Sequence, residues 1–322
     1  MGAKDYLQTL PRLVVSGGSI IWAAGVAQVW RLDIVTLQWE AMPALVDVRR
    51  HHACCAVRKG LVVIGGVTSE NAVSGSVEML AEGEGAFTGQ PPLTREGIAG
   101  TVAIVVDESS SAAGQVLLLG GYGEYNETVS TVYLVDLATG VCTPQPKLLC
   151  ERCHFSAARL ADGRIVCAGG LGFDDTRTVL SSVEVYEPPA MGAMDGAWTW
   201  SEVPEMSVAR VGCRGCVLSD GRFAVLGGDD ANYESLSSCE ALVVGHDEHW
   251  EELPPMHEAR TFFACVAVAG CIIVAGGFSC TPNGRVWLRS AEVFDEVLGR
   301  WLQLPRSLPL DDGLWAMGST LL

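Results

Sequence analysis

The segments SSVEVYE (Ser181–Glu187) and WTWSEVPEMSVAR (Trp198–Arg210), with Gly169 and Gly170 upstream, decide how this chain is read. They hold four features in fixed order: a doubled glycine, a Ser-x-Glu strand, an aromatic followed by Pro and Leu or Met, and an Arg. The same order recurs along the chain, and a repeat of that kind sets the fold. A doubled glycine closing an apolar run marks a strand end where the backbone needs left-handed conformations or close approach.

Six such pairs are present. They close LVVSGG (Gly17, Gly18), LVVIGG (Gly65, Gly66), VLLLGG (Gly120, Gly121), RIVCAGG (Gly169, Gly170), RFAVLGG (Gly227, Gly228) and CIIVAGG (Gly276, Gly277). The second glycines lie 48, 55, 49, 58 and 49 residues apart, a period that suits one four-stranded propeller blade. The two longer steps contain insertions, DESSSAAG after Val106 and PPAMGAMDG after Glu187. Ser-x-Glu recurs as Ser76–Glu78, Ser182–Glu184, Ser238–Glu240 and Ser290–Glu292. The aromatic-Pro motif recurs as Trp39 with Pro43 and Leu45, Phe87 with Pro91 and Leu93, Trp200 with Pro204 and Met206, and Trp250 with Pro254 and Met256. It is degenerate at Cys142, which replaces the aromatic, and after Trp301, where Ser307 stands in place of Leu.

This arrangement resembles the kelch repeat over nearly the whole chain. The resemblance implies a blade of strands a to d per repeat, with Gly-Gly closing strand b and the Trp on strand d packed near it. Short alternating β-rich runs separated by turn residues give the same all-β reading from the residues themselves. The first Gly-Gly comes too early for a complete blade, and LWAMGSTLL (Leu314–Leu322) reads as a strand a with no strand b. The expectation is a six-bladed propeller of four antiparallel strands per blade, the carboxyl-terminal strand closing blade one and leaving no unpaired edge. The boundaries are a single domain over 1–322, with blade one at about 12–45 plus 314–322 and blade two at about 50–93. Blades three to six then span about 95–148, 152–206, 210–256 and 260–308.

Each Leu or Met leads through a connector to an inner strand, with Arg50, Arg95, Arg152, Arg210 and Arg260 as the recurring connector arginines and none near Gly313. Their regular recurrence points to a structural role tying connectors to neighbouring blades. The inner strands are rich in Ala, Gly, Cys, Ser and Thr, because six strands converging on one axis leave room only for small side chains.

The formal net charge of −17 repels phosphate backbones, and no Lys/Arg run offsets it, which argues against nucleic acid and anionic membranes as partners. MGAKDYLQTL has no apolar core of signal-peptide length, and Gly2 lacks the Ser or Thr that myristoylation wants at Tyr6. Twelve cysteines, most of them inside apolar strands, read as reduced and buried, so the expected compartment is the cytoplasm or the nucleus. Cys150 with Cys153 and His154, and Cys213 with Cys216, imitate haem or zinc motifs, but positions i and i+3 of a strand face opposite ways. No metal site, catalytic residue or cofactor is expected.

Kelch propellers host unrelated tasks. In those that bind peptide segments, the resemblance implies contacts just after the paired glycines and just after the connector Arg. Here these are Ser19, Val67, Tyr122, Leu171, Asp229 and Phe278, then His51, Glu96, Cys153, Val211, Thr261 and Leu314. The partner-binding set is Tyr122, Phe278, His51, Asp229, Glu96, Thr261, Trp287 and Arg177, serving a protein-interaction module that acts as a scaffold or substrate-recognition subunit. Kelch chains of ubiquitin ligases carry a BTB or F-box segment ahead of the propeller, and about a dozen residues here do not support that role. The alternative is a kelch enzyme such as a sugar mutarotase, drawing on Arg177, Asp174, Asp229 or Glu96. Clustered carboxylate and Arg groups in a closed mouth would favour catalysis. A shallow rim with exposed aromatics would favour protein binding.

Overall fold

The computed structural model describes the chain except residues 1–10, 22–23, 58–59, 108–113, 175, 188–197, 246, 283 and 311–312. The amino-terminal segment and most of the two insertions therefore lie outside the described residues. The rest is all-β, with six four-stranded antiparallel sheets, each ordered a-b-c-d from the axis outward. Among the described residues no helix is long and apolar enough to cross a membrane.

Blade five shows the pattern, with strands Arg214–Val217, Phe223–Leu226, Cys239–Val243 and His249–Leu253. Strand b is buried along its whole length, because sheets cover it on both faces. Strand d alternates and faces solvent. Blade one is built from both ends of the described chain. Its inner strand, Gly318–Leu321, pairs antiparallel with Leu13–Ser16, Gly318 opposite Ser16 and Leu321 opposite Leu13. Arg12 and Leu322 then exchange backbone hydrogen bonds of 2.8 and 3.0 Å beyond the strand ends. The expected latch is present, and it leaves blade one no open inner edge.

Apolar clusters fill the interfaces between consecutive blades. Leu13, Val15 and Leu32 of blade one meet Val266, Ile273 and Ala275 of blade six. Val14, Val29 and Leu45 meet Leu61, Val63 and Leu80 of blade two. In blades four, five and six the Trp of strand d hooks the blade to the one before it. Trp200, Trp250 and Trp301 donate their indole N–H to the carbonyls of Pro146, Pro204 and Pro254 at 2.8 to 2.9 Å.

The repeat motifs converge on a second, buried device. Arg49, Arg152, Arg210 and Arg260 leave the connectors and are almost fully buried. Each donates to the carbonyl of the first glycine of its blade's pair, Gly65, Gly169, Gly227 or Gly276, at 2.7 to 2.9 Å. Each also donates to the carbonyl of the motif serine, Ser76, Ser182, Ser238 or Ser290. Each pairs with the motif glutamate, Glu78, Glu184, Glu240 or Glu292. The glutamates in turn accept backbone N–H bonds from the incoming connector, at Val46, Leu149, Ser207 and His257. Ser-x-Glu is thus the clamp that fastens one blade's exit to the next blade's strand c. Burial alone pushes Glu292 up, but the Arg260 charge and the His257 N–H outweigh it and hold the carboxyl below its usual range.

This register corrects two connector assignments. In blade two the clamp is Arg49, and Arg50 points to Asn71 instead. In blade three the position is Ile98. Arg95 lies three residues earlier, with its guanidinium 4.7 Å from the Tyr133 ring centroid. Ile98 and Tyr133 share one apolar cluster, so blade three replaces the charged pair with an apolar one on both sides. In blade one Leu314 holds the Arg position and Trp30 that of the Glu, as the backbone bonds of Gly277 to Leu314 and of Gly17 to Gln28 show. In blade six Leu308 is fully buried and fills the site expected of Ser307.

Removing one partner of a buried pair leaves an uncompensated charge, so Arg210→Met is expected to lower unfolding stability by about 3–5 kcal/mol. The double variant Arg210→Ile with Glu240→Tyr, which installs the blade-three pair, should recover most of that loss. Chemical denaturation of the three proteins checks both statements.

Candidate functional site

At the end of the wheel where strands b enter their loops, the residue after each second glycine pairs with the inner-strand connector of its own blade. The six pairs are Ser19 with Trp315, Val67 with Arg50, Tyr122 with Ala99, Leu171 with Cys153, Asp229 with Val211, and Phe278 with Thr261. Cys153, Val211 and Thr261 stand where the sequence places them. His51 and Leu314 are one residue off, their positions being taken by Arg50 and Trp315. Glu96 is three residues off. It is exposed on the connector, and Ala99 occupies the mouth position.

The next residue inward is the axis itself. His51, Gly100, His154, Gly212, Phe262 and Ala316 form a closed cycle of backbone hydrogen bonds. Each N–H donates to the carbonyl of the preceding member around the ring, at 2.8 to 3.0 Å. All six have left-handed backbones, with φ between 52° and 66°. Four of them are not glycine, a conformation that costs about 1–3 kcal/mol at each such residue and persists only where its surroundings enforce it. Here the cycle of six bonds and the strands below supply that enforcement. The mouth therefore stands on a rigid collar.

Side chains of the collar plug the axis. The rings of His51 and His154 lie 4.6 Å apart, and those of His154 and Phe262 5.0 Å apart. Trp315, Phe278 and Tyr122 pack around them. Burial, together with nearby arginine charge, pulls His51 well below its ordinary value and His154 down to about 3, so both are neutral at physiological pH. Burial also lifts Asp229 to about 6 against the opposing Ser235 hydroxyl bond. Phe278, Thr261 and Asp229 are all buried and support the mouth from beneath. Trp287 lies opposite Phe278 in the hairpin Phe278–Thr281 with Gly284–Trp287, and packs on the Phe278–Trp315 cluster. The Arg285 guanidinium sits 4.3 Å from the Phe278 ring centroid.

Above this floor the b-to-c loops rise, and their tips carry the aromatic groups that sequence reasoning missed. Tyr125 is 87% exposed, Phe173 46% and Tyr233 49%. Arg177, across the hairpin from Phe173, is exposed as well. Between blades two and three a recess of about 220 Å³ is lined by Arg50, His51, Val67, Asn71, Tyr122 and Glu124. The signal for the rim was available, because an aromatic in a polar loop between strands has no core to fill. All twelve cysteines are unpaired. Among the described residues no three His, Cys, Asp or Glu side chains gather as a metal site would need.

A fold of six such blades with these clamps defines a kelch-type β-propeller. The family description "Kelch motif" matches residues 152–207 and 259–307, which supports the kelch-repeat β-propeller reading of the whole chain. It is 25% identical over 291 residues to Kelch-like protein 34 of Homo sapiens, an alignment covering 86% of this chain and 42% of that protein. It is 35% identical over 98 residues to F-box/kelch-repeat protein At1g16250 of Arabidopsis thaliana, covering 28% of this chain and 25% of that one. The chain thus spans less than half the length of the curated relatives it matches. Among solved structures it resembles that titled "Structure of YjhT", with a TM-score of 0.69 and 12% identity over 92% of this chain and 98% of the other, a likeness of fold.

His51, His52 and His154 all have folded-state values below the unfolded one, so between these limits the unfolded chain binds protons that the folded chain does not. Their contribution to stability is fully present above about pH 6.5 and is lost as pH falls toward the folded values. The denaturant midpoint is expected to drop between pH 7.5 and pH 5.5, and His51→Phe with His154→Phe should flatten that drop. An NMR titration should show the exposed His249 changing charge over this range while the buried three do not.

Proposed function

We propose that the chain is a protein-interaction module whose loop-bearing mouth holds a segment of a partner protein, as a scaffold or substrate-recognition subunit. The observation that carries this reading is the crown of exposed aromatics, Tyr125, Phe173 and Tyr233, set on a rigid collar. Tyrosine and phenylalanine supply large contact area at low entropic cost, and rigid support keeps that cost low on binding. Arg177 at the rim and Arg50 in the recess add charged donors beside them. The recess has room for a single anchoring side chain. The match to a Kelch-like protein over most of the chain supports protein partners, and the excess of acidic groups argues against nucleic acid. A cytoplasmic or nuclear setting belongs to the same reading.

The mutarotase-type alternative calls for Arg and carboxylate groups converging in the mouth. Of the residues nominated for it, Asp229 is buried against Ser235, and Glu96 is exposed on a connector. The side chain of Asp174 lies outside the described residues.

The test is affinity capture followed by a direct binding measurement on the partner recovered. Tyr125→Ala, Phe173→Ala and Tyr233→Ala together should weaken binding by roughly a hundredfold or more, as for two or more hot-spot residues, with the melting temperature unchanged. An equal affinity for the wild type and the triple variant would remove the rim from the interface.

A further inference from the structure

Beneath the collar the six inner strands enclose a second space, separate from the mouth. This axial channel has a volume of about 410 Å³ and runs from His52, Thr101, Phe155, Arg214 and Met317 at the collar to Val105, Arg159, Ala267 and Leu321 at the far end. At the collar it narrows to a chamber of about 30 Å³ beside His52, Thr101, His154 and Arg214. Its walls are small or apolar: alanines, valines, thiols and the hydroxyls of Ser156 and Ser319. In a chain of net charge −17, the charged groups lining it are two arginines, and none of the residues lining it is a carboxylate.

Arg159 stands at the open end and donates to the carbonyls of Val105 and Val106. Arg214 lies deep. It donates Nε–H to the Phe263 carbonyl at 2.7 Å and Nη2–H to the Met317 carbonyl at 3.2 Å, which fixes the guanidinium plane. Two backbone carbonyls do not neutralise a cation, and Arg214 is half-buried and lines the channel. Nearby, the Nε2 of the buried His52 accepts the Gly318 N–H, which places the ring proton on Nδ1, and Nδ1 has no partner. Arg214 is thus a cation lining a channel that no carboxylate lines, and the buried His52 beside it brings no negative charge. Burial draws Arg214 below its ordinary range, the direction expected of a cation whose counter-charge is missing.

We propose that this channel is a binding site for a small monocarboxylate, its head paired with Arg214 and its short apolar tail lying along the Ala, Val and thiol wall. The planar fork matches a carboxylate, and a single deep cation suits one negative charge better than the two of sulfate or phosphate. The volume falls in the range of small-ligand sites and far exceeds what a halide fills. A continuous apolar wall favours a tail over a bare ion.

Propionate is the probe, with chloride and sulfate as rivals, in titration calorimetry and saturation-transfer NMR on the full chain. Saturable millimolar binding of propionate is expected, weakened at least tenfold in Arg214→Met, the order of loss for one charge-assisted hydrogen bond. Because Arg214 also braces two inner strands, Ala157→Phe supplies a second variant. It narrows the channel without touching the cation and should also weaken binding by tenfold or more. The proposal is overturned if the wild type shows no saturable binding, if folded Arg214→Met and Ala157→Phe bind propionate as the wild type does, or if chloride or sulfate binds as tightly as propionate.

Discussion

The structure depends on one buried contact made four times, an arginine from a connector lodged between the carbonyl of a glycine and the carboxylate of a glutamate. A propeller has no single core. Its sheets are separate hydrogen-bonded units, and apolar packing between them has no strong preference for one register over another. The arginine supplies that preference, because its fork is satisfied only when the Gly carbonyl, the Ser carbonyl and the Glu carboxylate converge. A buried pair of this kind need not add net stability, because the cost of taking both charges out of water offsets their attraction. Positive φ at the first glycine lets its carbonyl turn toward the guanidinium. A Cβ at Gly276 would meet the Leu314 carbonyl at 2.6 Å.

The same register organises the mouth. The carbonyl of each clamp residue also accepts the N–H of the second glycine of the preceding blade, so the clamp fixes the connector on both sides. Two residues further on, the chain turns through a left-handed residue and joins the axial cycle. Clamp, glycine pair and collar form one continuous network, and the loops above it are free to differ. That division of labour is the physical basis of a scaffold with variable loops: strain and buried charge are confined to positions the network enforces, and exposed aromatics stand where they disturb nothing below.

Much of this was legible in the residues. The doubled glycines, Ser-x-Glu and the Trp motif gave the number of blades, the strand order and the latch at Gly318–Leu321, because each motif performs a backbone or packing task that few residue types can do. The connectors were harder. Arg49 and Arg50 are adjacent, and only the four-residue spacing from Leu45, matching Leu148 to Arg152 and Met206 to Arg210, singles out the first. In blade three the spacing lengthens by one and the clamp becomes Ile98, so Arg95 offered itself in the wrong place and carried Glu96 with it. The collar escaped notice because its six members share a conformation and no side-chain chemistry: His, Gly, His, Gly, Phe and Ala. The charge imbalance of the channel is equally invisible along the chain, since Arg214 is unusual only for what does not face it.

Amide hydrogen exchange at the collar tests the account most directly. If the clamps and the axial cycle hold the wheel as one unit, the amides of His51, Gly100, His154, Gly212, Phe262 and Ala316 will exchange only through global unfolding, with a common free energy of opening. Rapid exchange at any one of them under native conditions, at rates like those of the loop tips, would contradict it, because the collar would then be open and the mouth would lack its rigid floor.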